Sequence, residues 1–228
     1  MGLGHSPRIV TDGLVLCLDA ANARSYPGTG TTWTDRSGNG NNGTLTNGPI
    51  FDSTNGGSIG FDGASEYIQL PQSFSFGSSS FSIECWVKLN TISGIDAIYY
   101  SQSSNQSGFY GIGHANVSTA KGFYISDYNG STRVTSKTGV VASINTWYHL
   151  TGVKNTSNQC GVYVNGSLAS SLLTSTLSVT SSNPKIGINP VASSEILDGS
   201  ISQFRMYNKA LTPDEILQNY EATKGRYE

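Results

Sequence analysis

Three kinds of side chain in this sequence could do chemistry: paired carboxylates, histidines, and aromatic rings set among amides. Glycoside cleavage needs two carboxyl groups flanking the scissile bond, about 5 Å apart in retaining enzymes. On a strand that means acids two or four residues apart, on one face. The nearest candidate is Glu195-Ile196-Leu197-Asp198, whose i, i+3 spacing puts its acids on opposite faces. Glu84 has no acidic residue at 82, 86 or 88. Of the histidines His5, His114 and His149, the last sits in the strand-like run TWYHL and reads as a packed residue with a structural hydrogen bond. The sequence holds no Gly-x-Ser-x-Gly elbow, no Cys–His nucleophile signature and no phosphate-cradling glycine loop ahead of a helix. These features point to a chain that binds rather than catalyses.

Sugar-binding sites combine aromatic faces with hydrogen bonds from amides and carboxylates. Trp33, Trp86, Tyr99, Tyr100, Tyr110, Tyr124 and Tyr128 supply rings, and Asn- and Asp-rich loops supply partners. The candidate ligand contacts are Trp86, Tyr110 and Tyr128. In FSIECWVKL (81–89), Phe81, Ile83, Cys85, Val87 and Leu89 take one face, and Ser82, Glu84, Trp86 and Lys88 the other. Two readings of Trp86 therefore stand, packing under a second layer and contact with a ligand. Asp35-Arg36-Ser37-Gly38-Asn39-Gly40-Asn41 is rich in oxygen donors but lacks EF-hand spacing, and reads as turn chemistry.

The composition bounds the rest. At 228 residues, with 36% hydrophobic and 12% charged side chains and 27 glycines, the chain suits one large β domain. Three Trp, twelve Tyr and eight Phe exclude a disordered tail. A net charge of −2 with no basic stripe argues against nucleic acid. No apolar run approaches the roughly 20 residues that span a membrane. Cys17, Cys85 and Cys160 are odd in number, widely spaced and set in apolar runs, so they read as buried, reduced thiols. The N-terminus MGLGHSPRIV lacks the apolar core of a secretory signal, so synthesis in a cytosol is the expectation.

The elements that must position these residues are mostly strands. Residues 1–12 read as an arm and 13–228 as one domain. Strands are expected at 14–18, near Thr44–Thr46, and at 58–61, 67–70, 81–89, 96–101, 108–113, 121–127, 131–136 and 147–154. Further strands are expected at 160–165, 168–173, 184–188 and 200–207. Asn129-Gly130 and Asn165-Gly166 are hairpin signals. Thr212-Pro213-Asp214-Glu215 carries a capping box and opens the single short helix expected near the C-terminus. The fold class is all-β: a two-sheet antiparallel jelly-roll sandwich with that helix at its end.

The ordered set FDGASEYIQL (61–70), FSIECWVKL (81–89), TWYHLTGVKN (146–155), CGVYVNGSLAS (160–170), KIGIN (185–189) and LDGSISQFRMYNKALTPDEILQNY (197–220) resembles the laminin-G-like branch of the concanavalin A-like lectin/glucanase families. The resemblance runs from about residue 13 to 220 and implies a concanavalin A-like sandwich. Related domains often bind calcium at a sandwich edge, and the matching element here is Asp62-Gly63-Ala64-Ser65-Glu66, which makes Asp62 and Glu66 the candidate metal ligands. The second acid is Glu rather than Asp, and the family's closing G-x-I-D is Gly199-Ser200-Ile201-Ser202, without its acid. The run TDGLVLCLDAANARSYPGTGTTWTDRSGNGNNGTLTNGP (11–49) is similar to laminin-G-like modules carried by bacteriophage virion proteins. The expectation is a non-catalytic accessory virion protein, decorating head or tail in many copies. Its partners would be other virion proteins and cell-surface glycans, with no membrane insertion. The alternatives are a purely structural cement protein and, behind it, a glycan-active hydrolase.

Overall fold

The computed structural model describes the chain except residues 1–6, 72–75, 77–78, 103–108, 119, 129–132, 140, 175–182, 191 and 193. The strands in chain order are β1 (Leu14–Asp19), β2 (Thr32–Trp33), β3 (Gly43–Thr46), β4 (Ile50–Asp52), β5 (Ser58–Asp62), β6 (Tyr67–Gln69), β7 (Phe81–Leu89), β8 (Gly94–Gln102) and β9 (Phe109–Val117). They continue as β10 (Ala120–Tyr128), β11 (Arg133–Lys137), β12 (Trp147–Lys154), β13 (Gln159–Val164), β14 (Ser167–Leu168), β15 (Leu173–Thr174), β16 (Pro184–Ile186) and β17 (Asp198–Tyr207), and the chain then enters helix α1 (Pro213–Thr223). One sheet has the order β14-β13-β12-β7-β17-β5-β4, with β1 also on β17 and β15 on β13. The second has the order β11-β10-β9-β8-β16-β6-β3-β2. The sheets stack as an antiparallel sandwich, and period-2 alternation sends Ile83, Cys85, Val87, Leu150, Ile112 and Ile125 into the core between them. The strand expected over 168–173 is instead two short pairs, β14 and β15, both on β13. The Asn129-Gly130 turn lies outside the described residues.

Local chemistry explains the joints. Asn165 and Gly166, with φ of 50° and 80°, make the two-residue turn from β13 to β14. Asp35 organises its loop by accepting from the backbone N–H groups of Cys17 (2.9 Å), Ser37 (2.8 Å) and Asn41 (3.0 Å), which is turn chemistry as read from the sequence. Gly152 lets the sheets approach: a Cβ there would lie 2.7 Å from Ile112 Cγ2. Cys17, Cys85 and Cys160 are free and buried.

The first sheet is covered on both sides. Thr212 and Glu215 close the capping box, and α1 buries Ile216, Asn219 and Thr223. Ile216 packs with Val153, Tyr163, Tyr207 and Leu211. A bulge between Ile201 and Gln203 shifts the phase of β17, so Phe204 and Met206 enter the core while Arg205 faces the helix side. Beneath α1 lies a fully buried carboxylate, Glu84. It accepts from Arg205 Nη1 and from Asn219 Nδ2 at 2.9 Å, and His149 Nε2 stands 3.5 Å away. The N-terminal arm joins this layer. Val10 N–H donates to Asn219 Oδ1 (2.7 Å), and its carbonyl accepts from Tyr207 (3.2 Å). From Arg8 onward the arm is therefore docked onto α1 and β17, rather than standing apart from the domain.

Burial by itself would raise the Glu84 pKa, but His149, Arg205 and Asn219 overcome it and pull the value down from 4.5 to about 2. A depressed carboxylate stabilises the fold fully above its unfolded pKa and progressively less as pH falls through the folded one. The stability contributed at Glu84 should thus be complete above about pH 4.5 and fade towards pH 2. Glu84→Gln strands the Arg205 charge and should cost about 3–5 kcal/mol in urea unfolding. An unchanged unfolding midpoint for this variant, or an acid profile that matches the wild type below pH 4.5, would contradict this account.

Candidate functional site: the outer face of the second sheet

The outer face of the second sheet carries a row of aligned residues that crosses all eight strands. Cross-strand register runs Thr32–Thr44–Gln69–Lys185–Tyr100–Gly111–Ser126–Thr135. Each neighbouring pair shares a face by the geometry of antiparallel pairing. Seven of the eight have hydrogen-bonding side chains, and Ser126 Oγ meets Thr135 Oγ1 at 2.9 Å. Thr44 is exposed, and Gln69 and Lys185 are half-buried. The Lys185 ammonium lies 4.0 Å over the Tyr67 ring, a cation–π contact that fixes a positive charge on the face.

Beside this row the floor is aromatic. Tyr100 and Tyr124 pack with Ala97 and Ala115, and half-buried Tyr128 joins them. The glycines of β9 make this possible. A Cβ on Gly111 would lie 2.8 Å from Tyr100 Cδ2, and one on Gly113 would lie 2.6 Å from Tyr124 Oη. Side chains at those positions would lift the rings off the sheet. The two hydroxyls meet at 2.7 Å, and burial together with Tyr100 pushes the Tyr124 phenol well above its ordinary value. Glu195 bears electrostatically on Tyr124 from the loop before β17, and one of its oxygens accepts from Asn189 Nδ2 at 2.8 Å. Tyr100 and Tyr124 are themselves only 4% and 5% exposed, so the groups this face offers a polyhydroxylated ligand are half-buried Tyr67, Gln69, Tyr128 and Lys185 and exposed Thr44.

Two of the three expected ligand contacts are corrected. Trp86 is 3% exposed because α1 and the C-terminus cover it. Its Nε1 donates to Thr223 Oγ1 at 2.8 Å, and its ring stacks on Tyr227 with centroids 4.0 Å apart. Tyr110 is 2% exposed and lies between the sheets against Phe81 and Tyr99. Trp33 and Tyr99 are core residues as well. Tyr128 is the one that stays at the outer face. Gln69, Lys185 and Tyr67 escaped the sequence reading; the signal available was the outward phase of Tyr67 and Gln69 around inward Ile68.

Asp62 and Glu66 come together in one tight turn. Asp62 Oδ1 accepts from the N–H groups of Ala64 (2.8 Å) and Ser65 (3.1 Å), and Glu66 Oε2 accepts from Asp62 N–H (2.9 Å). These amide bonds hold the Asp62 carboxyl below its usual range, whereas burial and Asp62 raise that of Glu66. At the family's missing acid, Ser202 donates to the Gly57 carbonyl at 2.6 Å. Among the described residues no group of three or more His, Cys, Asp and Glu side chains is placed to hold a metal ion. One oxygen of each of these two carboxylates is already held by backbone amides, whereas calcium takes six to eight oxygens.

The comparisons with known proteins bear on the whole sandwich. The profile for the concanavalin A-like lectin/glucanases superfamily, laminin-G type 3, matches residues 62–217, more than half of the chain. The chain belongs to this superfamily. No curated protein sequence matches it. Domain 4 of AbnA, a GH43 extracellular arabinanase from Geobacillus stearothermophilus solved with arabinotriose, superposes with a TM-score of 0.74 at 17% identity, covering 91% of this chain and 98% of that domain. Trypanosoma rangeli sialidase with sialic acid gives 0.69 at 14% identity, covering 98% of this chain and 36% of the sialidase. The binding domain of Paraclostridial Mosquitocidal Protein 1 gives 0.67 at 17%, with 92% and 52% coverage. At these identities the likeness is one of fold.

Calcium should leave the thermal midpoint where EDTA leaves it, because one oxygen of each turn carboxylate is already held by a backbone amide. A calcium-dependent rise that Glu66→Gln abolishes would instead establish a metal site at this turn.

Proposed function

We propose that this chain is a non-catalytic carbohydrate-binding module whose ligand surface is the outer face of the second sheet. The observation that carries the proposal is the cross-strand row from Thr32 to Thr135, with the half-buried rings of Tyr67 and Tyr128 beside it. The opposite outer face, on the first sheet, is occupied by α1. A domain of similar fold, solved with arabinotriose, supports the ligand class. The non-catalytic part of this reading is supported by the two acids of the Glu195–Asp198 segment serving separate contacts: Glu195 accepts from Asn189, and Asp198 Oδ1 accepts from Asn90 Nδ2 at 3.0 Å.

Within this reading the module serves as a multicopy accessory protein of a bacteriophage particle, as the similarity of its N-terminal run suggests. Fold alone does not carry such a role. A weak glycan site would gain from repetition on a particle, commonly 10²–10⁴-fold when geometry permits. The cement alternative also has an observation in its favour. Leu168, Leu172, Leu173 and Leu217 are each at least 40% exposed, and the first two meet over Gly161 at the edge of the first sheet. Purified particles should contain the chain in many copies; its absence from them would end the virion reading without touching the sugar-binding one.

The sugar site has its own test. Gln69→Ala with Lys185→Ala should weaken binding to an oligosaccharide panel that includes arabinotriose by about tenfold, measured below the variant's own thermal midpoint because Gln69 Nε2 also donates to the Leu70 and Pro184 carbonyls. Trp86→Ala should do the reverse, costing about 3–5 kcal/mol of stability while native protein keeps its affinity. Binding lost in Trp86→Ala at temperatures where it is folded, and kept in the double variant, would refute this placement. Release of reducing ends from any bound glycan would refute the non-catalytic assignment.

A further inference from the structure

A second cavity, of about 350 Å³, opens on the far side of the molecule, between β1, the N-terminal arm and the end of α1. Three guanidinium groups, those of Arg36, Arg205 and Arg226, line it together with the carboxylate of Asp19. The charges do not cancel. Asp19 is held by Arg226 in a two-pronged contact at 2.9 and 3.2 Å. Arg205 is paired with Glu84 behind the cavity wall. Arg36 is exposed and has no ion-pair partner among the described residues. In addition, Arg205 is only 3% exposed. Its Nη1 is spent on Glu84 and its Nη2 on Gln203, and the side chain also meets the Cys17 thiol, so Arg205 adds positive charge behind this wall rather than an open donor.

The remaining wall differs in character. Ile9, Leu14 and Ala222 add apolar surface to the lining of the cavity. Its volume falls at the lower end of the range for small-ligand sites, roughly 300–1,000 Å³. The occupant that meets both walls is singly negative, carries oxygens for guanidinium N–H groups, and has a compact body with an apolar face. A bare inorganic anion satisfies the first wall only.

We propose that this cavity binds an acidic monosaccharide unit of the uronate class, its carboxylate on Arg36 and the C–H face of its ring against Ile9 and Leu14. The ring half of this inference rests on the carbohydrate-binding reading, and the charge half on the guanidinium groups alone. Arg226 is held in place by Asp19 and shapes the mouth. The site is separate from the outer face of the second sheet and would let one module contact two different sugars of a glycan.

Isothermal titration of the full chain with methyl glucuronide, methyl glucoside, acetate and inorganic sulfate tests this. Methyl glucuronide should bind, more weakly as salt rises, and methyl glucoside should not. Arg36→Glu should weaken that binding by about tenfold or more with the thermal midpoint unchanged, since only the Arg36 backbone N–H bonds the fold, to the Cys17 carbonyl at 2.8 Å. Arg36→Lys should restore most of it. The Gln69→Ala, Lys185→Ala variant should bind the glucuronide as the wild type does. Equal affinity for glucoside and glucuronide, or no effect of Arg36→Glu, overturns the proposal. Acetate or sulfate binding as tightly as the glucuronide overturns the ring half. Loss of glucuronide binding in the double variant would move the site to the other face and overturn the assignment to this cavity.

Discussion

The buried carboxylate of Glu84 is the constraint on which most of this architecture depends. A charge at a fully buried position on the outer face of a sheet is tolerable only if it is covered and paired at once. Arg205 comes from the adjacent β17, His149 from β12 and Asn219 from α1, so four elements must be correctly placed before the charge is compensated. Asn219 then reaches further, binding the Val10 amide and the Tyr207 hydroxyl, and so locks the N-terminal arm into the same layer. The first sheet, the helix and both ends of the chain are thereby joined through one polar network rather than through apolar contact alone.

That network decides which surface is free. With α1 laid over Glu84, Trp86 and His149, the outer face of the first sheet is spent on packing. Trp86 stacks with Tyr227 and Tyr220 there, and serves as the hydrophobic counterpart of the Glu84 cluster. The second sheet has the opposite economy. Its outer face is built from small and polar residues in register, and the glycines of β9 lower two tyrosine rings onto the backbone. A flat sheet face with hydrogen-bonding groups at strand spacing suits an extended ligand better than a deep pocket would.

The bulge in β17 links the two halves of this picture. With Ser202 in regular alternation instead of a bulge, the strand that places Ile201 in the core would turn Phe204 and Met206 towards the helix and Arg205 into the interior. The phase shift serves both layers. It completes the core and delivers a guanidinium that pairs Glu84 on one side and lines the arginine-bordered cavity on the other.

The sequence by itself determined what depends on neighbours in the chain. The period-2 face of residues 81–89, the Asn165-Gly166 turn, the Asp35 turn and the Thr212–Glu215 capping box are all local, and each is found as read. It also carried enough ordered motif to specify a concanavalin A-like sandwich. Direction was a different matter. Alternation says that Trp86 and Cys85 point opposite ways, but not that both faces of β7 are covered; that required α1 to return across 120 and more residues. Nor could spacing say that Tyr110 points between the sheets while Tyr128 lies on the outer face, or that Gln69, Lys185 and Tyr100 align. Those facts are set by register between strands far apart in sequence, and register is decided only when the whole core is packed.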